Sequence, residues 1–234
     1  MAIRTATKFQ PLRSLSAIFR SMARGSGLCG VVLCAGASTR MGRDKALLPW
    51  PPPPPSENYV VADTFLSAAI RSLSPVTEMV LVVAGHNTNS VAPVVYAHGA
   101  SLVTNPDPAR GQFSSMQLGL HEILSRGRDA AIVTLVDRPP ARPQTIEQLR
   151  EAFMASPPGM WAVVPEFKGK HGHPVVLGRE LIEAFLRAPA TATGRDVEHQ
   201  HQAHMHYLSV DDPFVTLNVD TPEDYAALQN RHMP

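Results

Sequence analysis

The sequence is poor in aromatic residues and has no strong excess of either charge. Only 6% of its 234 residues are aromatic, which argues against the stacking surfaces that bind single-stranded nucleic acids. The formal net charge is +1, but residues 1–27 contain five basic residues and no acid, so the remainder carries 16 basic and 20 acidic side chains. A mildly acidic body does not suit the phosphate backbone of DNA or RNA. We therefore expect no nucleic-acid partner.

Cysteine is also scarce, and no apolar run is long. Cys29 and Cys34 are five residues apart, so on a strand they would point to opposite faces and could not form a disulfide. We interpret them as small buried residues of a protein in a reducing compartment, and we expect a cytoplasmic location. No stretch approaches the ~20 apolar residues of a membrane span, so no membrane partner is expected.

Residues 1–27 differ from the rest of the chain. The segment is basic, lacks acids and resembles an organelle transit peptide superficially. Two alternatives are a disordered extension and a native start at Met22. We predict a basic, disordered N-terminal extension over 1–27 and a single domain over 28–234, a length that suits one α/β domain.

Apolar runs of strand length alternate with helical patterns in the first part of the body. The predicted strands are Leu28–Leu33, Met79–Ala84, Ser101–Thr104 and Ala130–Leu135, and the predicted helices are Thr64–Leu73, Gln112–Ser125 and Pro143–Ala155. Such alternation predicts a Rossmann-like α/β fold with a mostly parallel sheet between helices. Ligands of such sheets bind at the carboxyl ends of strands.

The pattern changes after about residue 160. The predicted strands there are Trp161–Pro165, Pro174–Leu177, His206–Val210 and Val215–Val219, and the predicted helices are Arg179–Leu186 and Thr221–Arg231. We expect this half to extend the sheet in mixed directions and to complete the site. Earlier in the chain, the run Pro51–Pro55 cannot form a helix or an inner strand, and it predicts a semi-rigid surface insertion.

A glycine-rich loop follows the first predicted strand. Gly36 and Gly42 let the backbone fold tightly, so that several N–H groups can converge on phosphate oxygens. Ser38 adds a hydroxyl donor, while Arg40 and Lys45 supply the positive charge that a triphosphate requires. The loop lacks the G-x-x-x-x-G-K-[ST] pattern of a P-loop. An ordinary turn between strand and helix, with solvated charges, is the alternative.

Two aspartates are candidate metal ligands. Asp137 follows the buried strand Ala130–Leu135, and the prolines after it prevent a helix there, which leaves its carboxylate at the carboxyl end of the strand. Asp220 closes the predicted strand Val215–Val219. Magnesium usually takes one or two protein carboxylates, with phosphates and water as its other ligands. The alternative for Asp220 is a helix N-cap, since Thr-Pro follows it. We interpret Asp224 as a first-turn helix charge.

Several short motifs together resemble those of the MobA-like nucleoside triphosphate transferase family. Gly36 to Lys45 resembles its G-x-S-x-R-M-G-x-x-K motif. The further similar segments are Asn105-Pro106-Asp107 with Gly111 and Ser114-Ser115, Val136 to Pro139, Gly172-His173-Pro174 and Asn218 to Asp224. The resemblance covers nearly all of residues 28–230, and it implies the nucleotide-diphospho-sugar transferase fold, also called the glycosyltransferase A-type fold.

The resemblance also implies an activity. Leu33 to Gly36 is similar to the L-A-A-G of the branch that transfers CMP from CTP to the molybdenum cofactor and releases pyrophosphate, whereas the guanylyl-transferring branch has a second glycine at the position of Ala35. Mg²⁺ is the implied cofactor, and a molybdoenzyme or its chaperone is a further partner to expect. The implied catalytic residues are Arg40, Lys45 and Asp137, with Asp137 and Asp220 as metal ligands. The implied nucleotide contacts are Leu33, Cys34, Ala35, Gly36, Ser38, Arg40, Lys45, Asn105, Ser114 and Ser115.

Departures from the family leave the acceptor open. They are the proline run and His173, which stands where a small polar residue is common. A guanylyltransferase and a sugar- or alcohol-phosphate nucleotidyltransferase remain alternatives. A non-catalytic carrier of nucleotide or molybdenum cofactor would not need Asp137 together with Asp220.

Several smaller features also have two interpretations. Ser114 and Ser115 could be simple helix caps, and Arg195 could contact an anionic acceptor or form a surface salt bridge. His199, His201, His204 and His206 lack the spacing of a zinc site, which favours a solvated helix end.

Overall fold

The computed structural model describes residues 27–53 and 63–228. The predicted N-terminal extension lies outside these ranges except for Gly27, as do Pro54 and Pro55 of the proline run and the last residues of the predicted helix Thr221–Arg231. No helix within the described ranges is long and apolar enough to cross a bilayer.

Strands and helices alternate along the described chain. The strands are β1 Leu28–Cys34, β2 Pro49–Trp50, β3 Asp63–Thr64, β4 Val80–Ala84, β5 Ser101–Thr104, β6 Ala130–Leu135, β7 Ala162–Phe167, β8 Lys170–His171, β9 Val175–Gly178 and β10 Met205–Ser209. The helices are α1 Phe65–Leu73, α2 Thr88–Ala97, α3 Gln112–Ser125, α4 Pro143–Ala155, α5 Arg179–Arg187, α6 Gly194–Gln200 and α7 Pro222–Leu228. Short 3₁₀ turns cover Lys45–Leu47, Ser74–Val76, Pro108–Arg110, Gln202–His204 and Pro213–Thr216.

One mixed sheet organises the fold. Its order is β10-β7-β9-β6-β1-β4-β5, with β8 paired to β7. Strands β5, β4, β1 and β6 are parallel, β9 is antiparallel to both of its neighbours, and β10 is parallel to β7. The carboxyl ends of β1, β4 and β6 therefore share one edge of the sheet. This architecture confirms the predicted α/β fold and the change of pattern in the second half.

Both faces of the sheet are covered, which explains why its inner strands are apolar throughout. Val32 and Val82 pack on the face that carries α1, α2 and α4, whereas Val31 packs on the face that carries α3 and α5. Cys34 belongs to the first core and Cys29 to the second, and both are buried and free. The two cysteines therefore point to opposite faces, as their spacing predicts.

The prediction of a strand over Val215–Val219 is wrong. A 3₁₀ turn covers Pro213–Thr216, and the chain then reaches Asp220 without pairing with the sheet. The turn begins because the Asp212 carboxylate accepts the N–H of Phe214 at 3.0 Å. Phe214 and Val215 are apolar because they pack into the core, not because they belong to the sheet.

The proline run begins from an anchored ribbon, in which β2 pairs with β3. The Trp50 ring meets Phe65 edge-on at 4.9 Å, and the Tyr225 hydroxyl donates to the carbonyl of Pro49 at 2.8 Å. Pro52 is itself buried. The predicted surface insertion is therefore wrong for Pro52, whereas Pro51 is exposed as predicted.

Candidate active site

A pocket of about 340 Å³ opens at the carboxyl edge of β1, β4 and β6, where the sheet topology predicts a ligand site. One wall is the glycine-rich loop, another is the end of β6, and a third is the start of α3. The lining residues are Leu33, Ala35, Gly36, Ala37, Ser38, Lys45, His86, Pro108, Ala109, Gly111, Gln112, Ser115, Leu135, Val136 and Asp137.

The glycine-rich loop is folded back on Ser38. The Ser38 carbonyl accepts the N–H groups of Met41 at 3.0 Å and Gly42 at 3.2 Å, and the Ser38 hydroxyl oxygen accepts the N–H of Lys45 at 3.2 Å. Ser38 and Gly42 both have positive φ, 50° and 72°, which glycine adopts freely and serine rarely does. The buried Met41 side chain fixes the loop to the core. Ser38 thus shapes the loop and also lines the pocket.

Residues that directly follow β4 contact the glycine-rich loop and help to fix it. The Asn87 amide donates to the carbonyl of Cys34 at 3.0 Å and to the Asp44 carboxylate at 2.8 Å. Gly85 lies so close to the loop that a Cβ on it would stand 2.9 Å from the carbonyl oxygen of Ala35. Gly85 and Asn87 both come just after the predicted strand Met79–Ala84, but neither belongs to a motif that marks it as part of a site.

Four charged side chains meet at the mouth of the pocket. The Lys45 ammonium lies 2.8 Å from a carboxylate oxygen of Asp220 and 3.3 Å from one of Asp137. Arg40 lies 3.0 Å from the same Asp220 oxygen. The Lys45 side chain is only 12% exposed, against 68% for Arg40. The hydrogen bond from Lys45 is the main reason why the pKa of Asp220 is lowered. The structure therefore brings the two predicted cations and the two predicted carboxylates together.

Asp220 is held by its neighbours rather than by a strand. The N–H of Val219 donates to the carbonyl of Asp137 at 2.9 Å, which joins the two aspartate segments. The Asp224 carboxylate accepts the N–H groups of Asp220 and Thr221, both at 2.9 Å, and these bonds lower the pKa of Asp224. Asp224 and Thr221 thus cap α7, which leaves the side chain of Asp220 free to face Lys45.

The two aspartates have the chemistry of a divalent metal site. Asp137 Oδ1 is buried and has no hydrogen-bond partner among the described residues, and an unpaired carboxylate oxygen is a costly feature that a cation would relieve. Carboxylates are the protein ligands that magnesium prefers. Since the described residues contain no group of three or more His, Cys, Asp or Glu placed to hold a metal, phosphate and water would supply the other ligands.

Asn105, Ser114 and Ser115 form one polar cluster beside the pocket. The buried Asn105 amide donates to Ser114 Oγ at 3.0 Å and to Ser115 Oγ at 2.9 Å. Gly111, with φ of 90°, caps α3, so the alternative that the two serines are simple caps is wrong. Only Ser115 of this cluster lines the pocket.

Sequence reasoning missed the far wall of the pocket. This wall contains His86, Pro108, Ala109 and Gln112, which follow β4 and precede or begin α3. Of the predicted nucleotide contacts, Leu33, Ala35, Gly36, Ser38, Lys45 and Ser115 do line the pocket. Cys34, Arg40, Asn105 and Ser114 lie beside it and do not.

The remaining candidates lie elsewhere. Thr193 and Asp196 form a capping box at the start of α6, and the intervening Arg195 is exposed. The His204 ring stacks on Trp161 with centroids 3.8 Å apart, and its Nδ1 lies 2.8 Å from the carbonyl oxygen of Gly159. The interpretation as a solvated helix end is therefore wrong for His204, whose ring is half-buried against Trp161.

Comparison with protein families gives one match that covers most of the chain. The model of the MobA-like NTP transferase domain matches residues 30–206. The molybdenum cofactor cytidylyltransferase of Escherichia coli (strain K12) is 24% identical over 208 residues, which are 86% of this chain and 95% of that protein. A protein of Rhodopirellula baltica named probable molybdenum cofactor guanylyltransferase is 30% identical over 130 residues, 56% of this chain and 57% of its own.

Solved structures share the fold. The crystal structure of Rv0371c from Mycobacterium tuberculosis H37Rv superposes with a TM-score of 0.71 at 24% identity, covering 88% of this chain and 100% of that one. A second crystal structure of Rv0371c, in complex with manganese, has a TM-score of 0.67 at 22% identity and the same coverage. The sheet and helices described above are therefore those of the nucleotide-diphospho-sugar transferase fold.

Proposed function

The chain belongs to the MobA-like NTP transferase family, and from that premise we propose that it is a magnesium-dependent cytidylyltransferase. It joins CMP from CTP to the phosphate of the molybdenum cofactor and releases pyrophosphate. The observation that carries this proposal is the meeting of Lys45, Arg40, Asp137 and Asp220 at one pocket beside the glycine-rich loop. The domain that performs the reaction comprises residues 28–234, and the free cysteines agree with a reducing cytoplasm.

The residues perform the reaction mainly by positioning and by stabilising charge. An oxygen of the acceptor phosphate forms a bond to the α-phosphorus of CTP, and the bond from that phosphorus to the β-phosphate oxygen breaks, so that pyrophosphate leaves with the electron pair. The acceptor oxygen is already anionic, and no general base is needed. Lys45 and Arg40 stabilise the charge that spreads over the triphosphate.

Asp137 and Asp220 would hold the divalent cation. Bound there, the cation supplies positive charge to the phosphates and helps to orient them. The orphaned Asp137 Oδ1 supports this assignment, and so does the manganese complex of the M. tuberculosis relative. The sequence resemblance favours magnesium as the ion in use.

The base assignment rests on Ala35. This residue lines the pocket and packs against Gly85. A small side chain here, in place of the second glycine of guanylyl-transferring relatives, supports CTP over GTP. The cytidylyltransferase relative is covered over 95% of its length and the guanylyltransferase relative over 57%, which favours the same choice. A molybdoenzyme or its chaperone is the proposed recipient of the product.

The test is acceptor-dependent pyrophosphate release. Purified full-length protein is incubated with Mg²⁺ and either CTP or GTP, with and without molybdenum cofactor. We expect release only with CTP and cofactor together. Equal use of GTP would contradict the base assignment. Release with a sugar phosphate in place of the cofactor would identify the rival acceptor class, and tight nucleotide binding without release would identify a carrier.

The aspartates provide matched variants. Asp137→Asn removes a charge after the carboxyl end of β6, while Asp129→Asn removes one from an exposed residue just before the other end of the same strand, where it pairs with Arg179. We expect Asp137→Asn and Asp220→Asn to lower turnover about 100-fold or more, with melting still cooperative. Asp129→Asn should keep full activity. Full activity of Asp137→Asn would remove that residue from the reaction.

A further inference from the structure

The segment that carries Asp220 has no place in the sheet, so other contacts must fix it. The carbonyls of Val215, within the 3₁₀ turn, and of Leu217, just after it, face the segment that follows β6. The carbonyl of Val215 accepts the N–H of His173 at 2.9 Å and Arg138 Nη1 at 3.4 Å. Arg138 Nη1 also lies 3.4 Å from the carbonyl of Leu217. One guanidinium group therefore contacts two carbonyls of the segment that delivers the second carboxylate.

The close approach of this segment requires Gly172. A Cβ at that position would lie 2.2 Å from the carbonyl oxygen of Val215, which no side chain tolerates. The Val215 carbonyl thus contacts the backbone of Gly172 and His173 on one side and the Arg138 guanidinium on the other.

Arg138 is a half-buried cation beside both carboxylates. Burial lowers its pKa, and attraction to Asp137 and Asp220 opposes that shift, but an arginine remains protonated in either case. Its Nε is buried and has no hydrogen-bond partner among the described residues. No ion pair joins Arg138 to an acid within the described ranges either, and its Nη1 donates to the backbone carbonyls of Val215 and Leu217.

We propose that Arg138 is a positioning residue for the metal site. By holding the carbonyls of Val215 and Leu217, it replaces the sheet pairing that this segment lacks, and it keeps Asp220 opposite Asp137. The inference rests on the proposed function, because it needs both aspartates to bind the divalent cation. It assigns to the middle residue of the Asp-Arg-Pro motif a role that the reaction chemistry alone does not give it.

The sign of the effect on metal affinity separates positioning from simple electrostatics. A guanidinium charge repels a divalent cation bound nearby, so if Arg138 acted only through its charge, Arg138→Met would strengthen metal binding. If Arg138 positions Asp220, the same variant weakens it. Arg138→Lys keeps the charge and loses the planar fork, so it also weakens binding under the positioning role and leaves it unchanged under the electrostatic one.

The experiment measures Mn²⁺ binding directly, by the electron paramagnetic resonance signal of the free ion, with full-length protein at a pH near 7. We expect about tenfold weaker binding or more in Arg138→Met and Arg138→Lys, the range found when residues behind metal ligands are changed. Arg142→Met is the matched control. Arg142 Nη1 also donates to a backbone carbonyl, that of Asp211 at 3.0 Å, but this hydrogen bond is exposed. The Mn²⁺ affinity of Arg142→Met should match that of the unaltered protein.

A double-mutant cycle completes the test. Since Arg138 acts through Asp220, Arg138→Met should cause no further loss of Mn²⁺ affinity in the Asp220→Asn background. Unchanged or stronger binding in Arg138→Met overturns the inference, and if that variant does not melt cooperatively, unchanged binding in Arg138→Lys overturns it equally. Unchanged Mn²⁺ binding in the single variant Asp220→Asn overturns the proposed metal site, and the inference with it. The failure of the metal site is therefore distinguishable from the failure of the positioning role of Arg138.

Discussion

Replacing Lys45 by methionine should strengthen the binding of a divalent metal while it lowers turnover. The Lys45 ammonium bonds to both carboxylates that would hold the metal, at 2.8 and 3.3 Å. Without nucleotide, a metal ion must displace this ammonium. A hydrogen bond to a charged group contributes about 1.5–3 kcal/mol net, which corresponds to about 10- to 100-fold in a binding constant. We therefore expect nucleotide-free Lys45→Met to bind Mn²⁺ tighter by about that factor.

Turnover should change in the opposite direction. Lys45 is the less exposed of the two cations beside the glycine-rich loop, and under the proposed function the loss of one such stabilising group costs about 100- to 1000-fold in rate. Calorimetric titration with Mn²⁺ measures the first effect and pyrophosphate release the second. Lys170→Met, at an exposed lysine on β8, is the control and should change neither. Equal or weaker Mn²⁺ binding in Lys45→Met would refute the reasoning, because it would mean that the ammonium organises the carboxylates instead of competing for them.

Three further changes give separate checks. Ala35→Gly should raise the ratio of GTP to CTP use in a competition assay, and an unchanged ratio would show that this residue does not set base preference. Asp212→Ala should lower the free energy of unfolding, measured by urea titration, by about 2–4 kcal/mol. Its buried carboxylate accepts hydrogen bonds from Arg142 N, Thr145 Oγ and Phe214 N. The control is Asp211→Ala at an exposed residue, which should lower the free energy of unfolding by less than about 0.5 kcal/mol. Burial lowers the pKa of His173 to about 3, so the unfolded chain binds a proton there between pH 6.5 and 3 that the folded chain does not, and stability falls as pH falls through that window. At pH 5 the loss is about 2 kcal/mol, and His173→Gln should remove that part of the pH dependence; an unaltered pH profile would show that the imidazole titrates normally.

The sequence predicts most of the fold because its strands are buried on both faces. The apolar run Ala130–Leu135 is predicted with the bounds that the structure gives it, and the other strands of the parallel part agree to within one residue at each end. Asp137 could be predicted as a site residue for the same reason, since a buried strand followed by two prolines leaves the next carboxylate at the sheet edge. Helix α2 was missed because Pro93 lies inside it, where proline normally ends a helix.

Other parts of the site depend on contacts that no local pattern encodes. The apolar residues Phe214 and Val215 have the composition of a strand, but the carboxylate of Asp212 and the ring of Pro213 direct the backbone into a 3₁₀ turn. Lys45 meets Asp137 and Asp220 across sequence separations of 92 and 175 residues. His86 could be recognised as part of the pocket only once the end of β4 was seen beside the loop.

The late position of Asp220 has a consequence for protein synthesis. Every strand of the described sheet is complete at Ser209, whereas the second carboxylate comes later in the chain, in the segment that docks on Arg138 and Gly172. A nascent chain that has emerged only as far as Ser209 would contain the phosphate loop and the first aspartate, and it would lack the second. The cluster of Lys45, Asp137 and Asp220 therefore cannot form on a nascent chain until the segment through Asp220 has emerged as well.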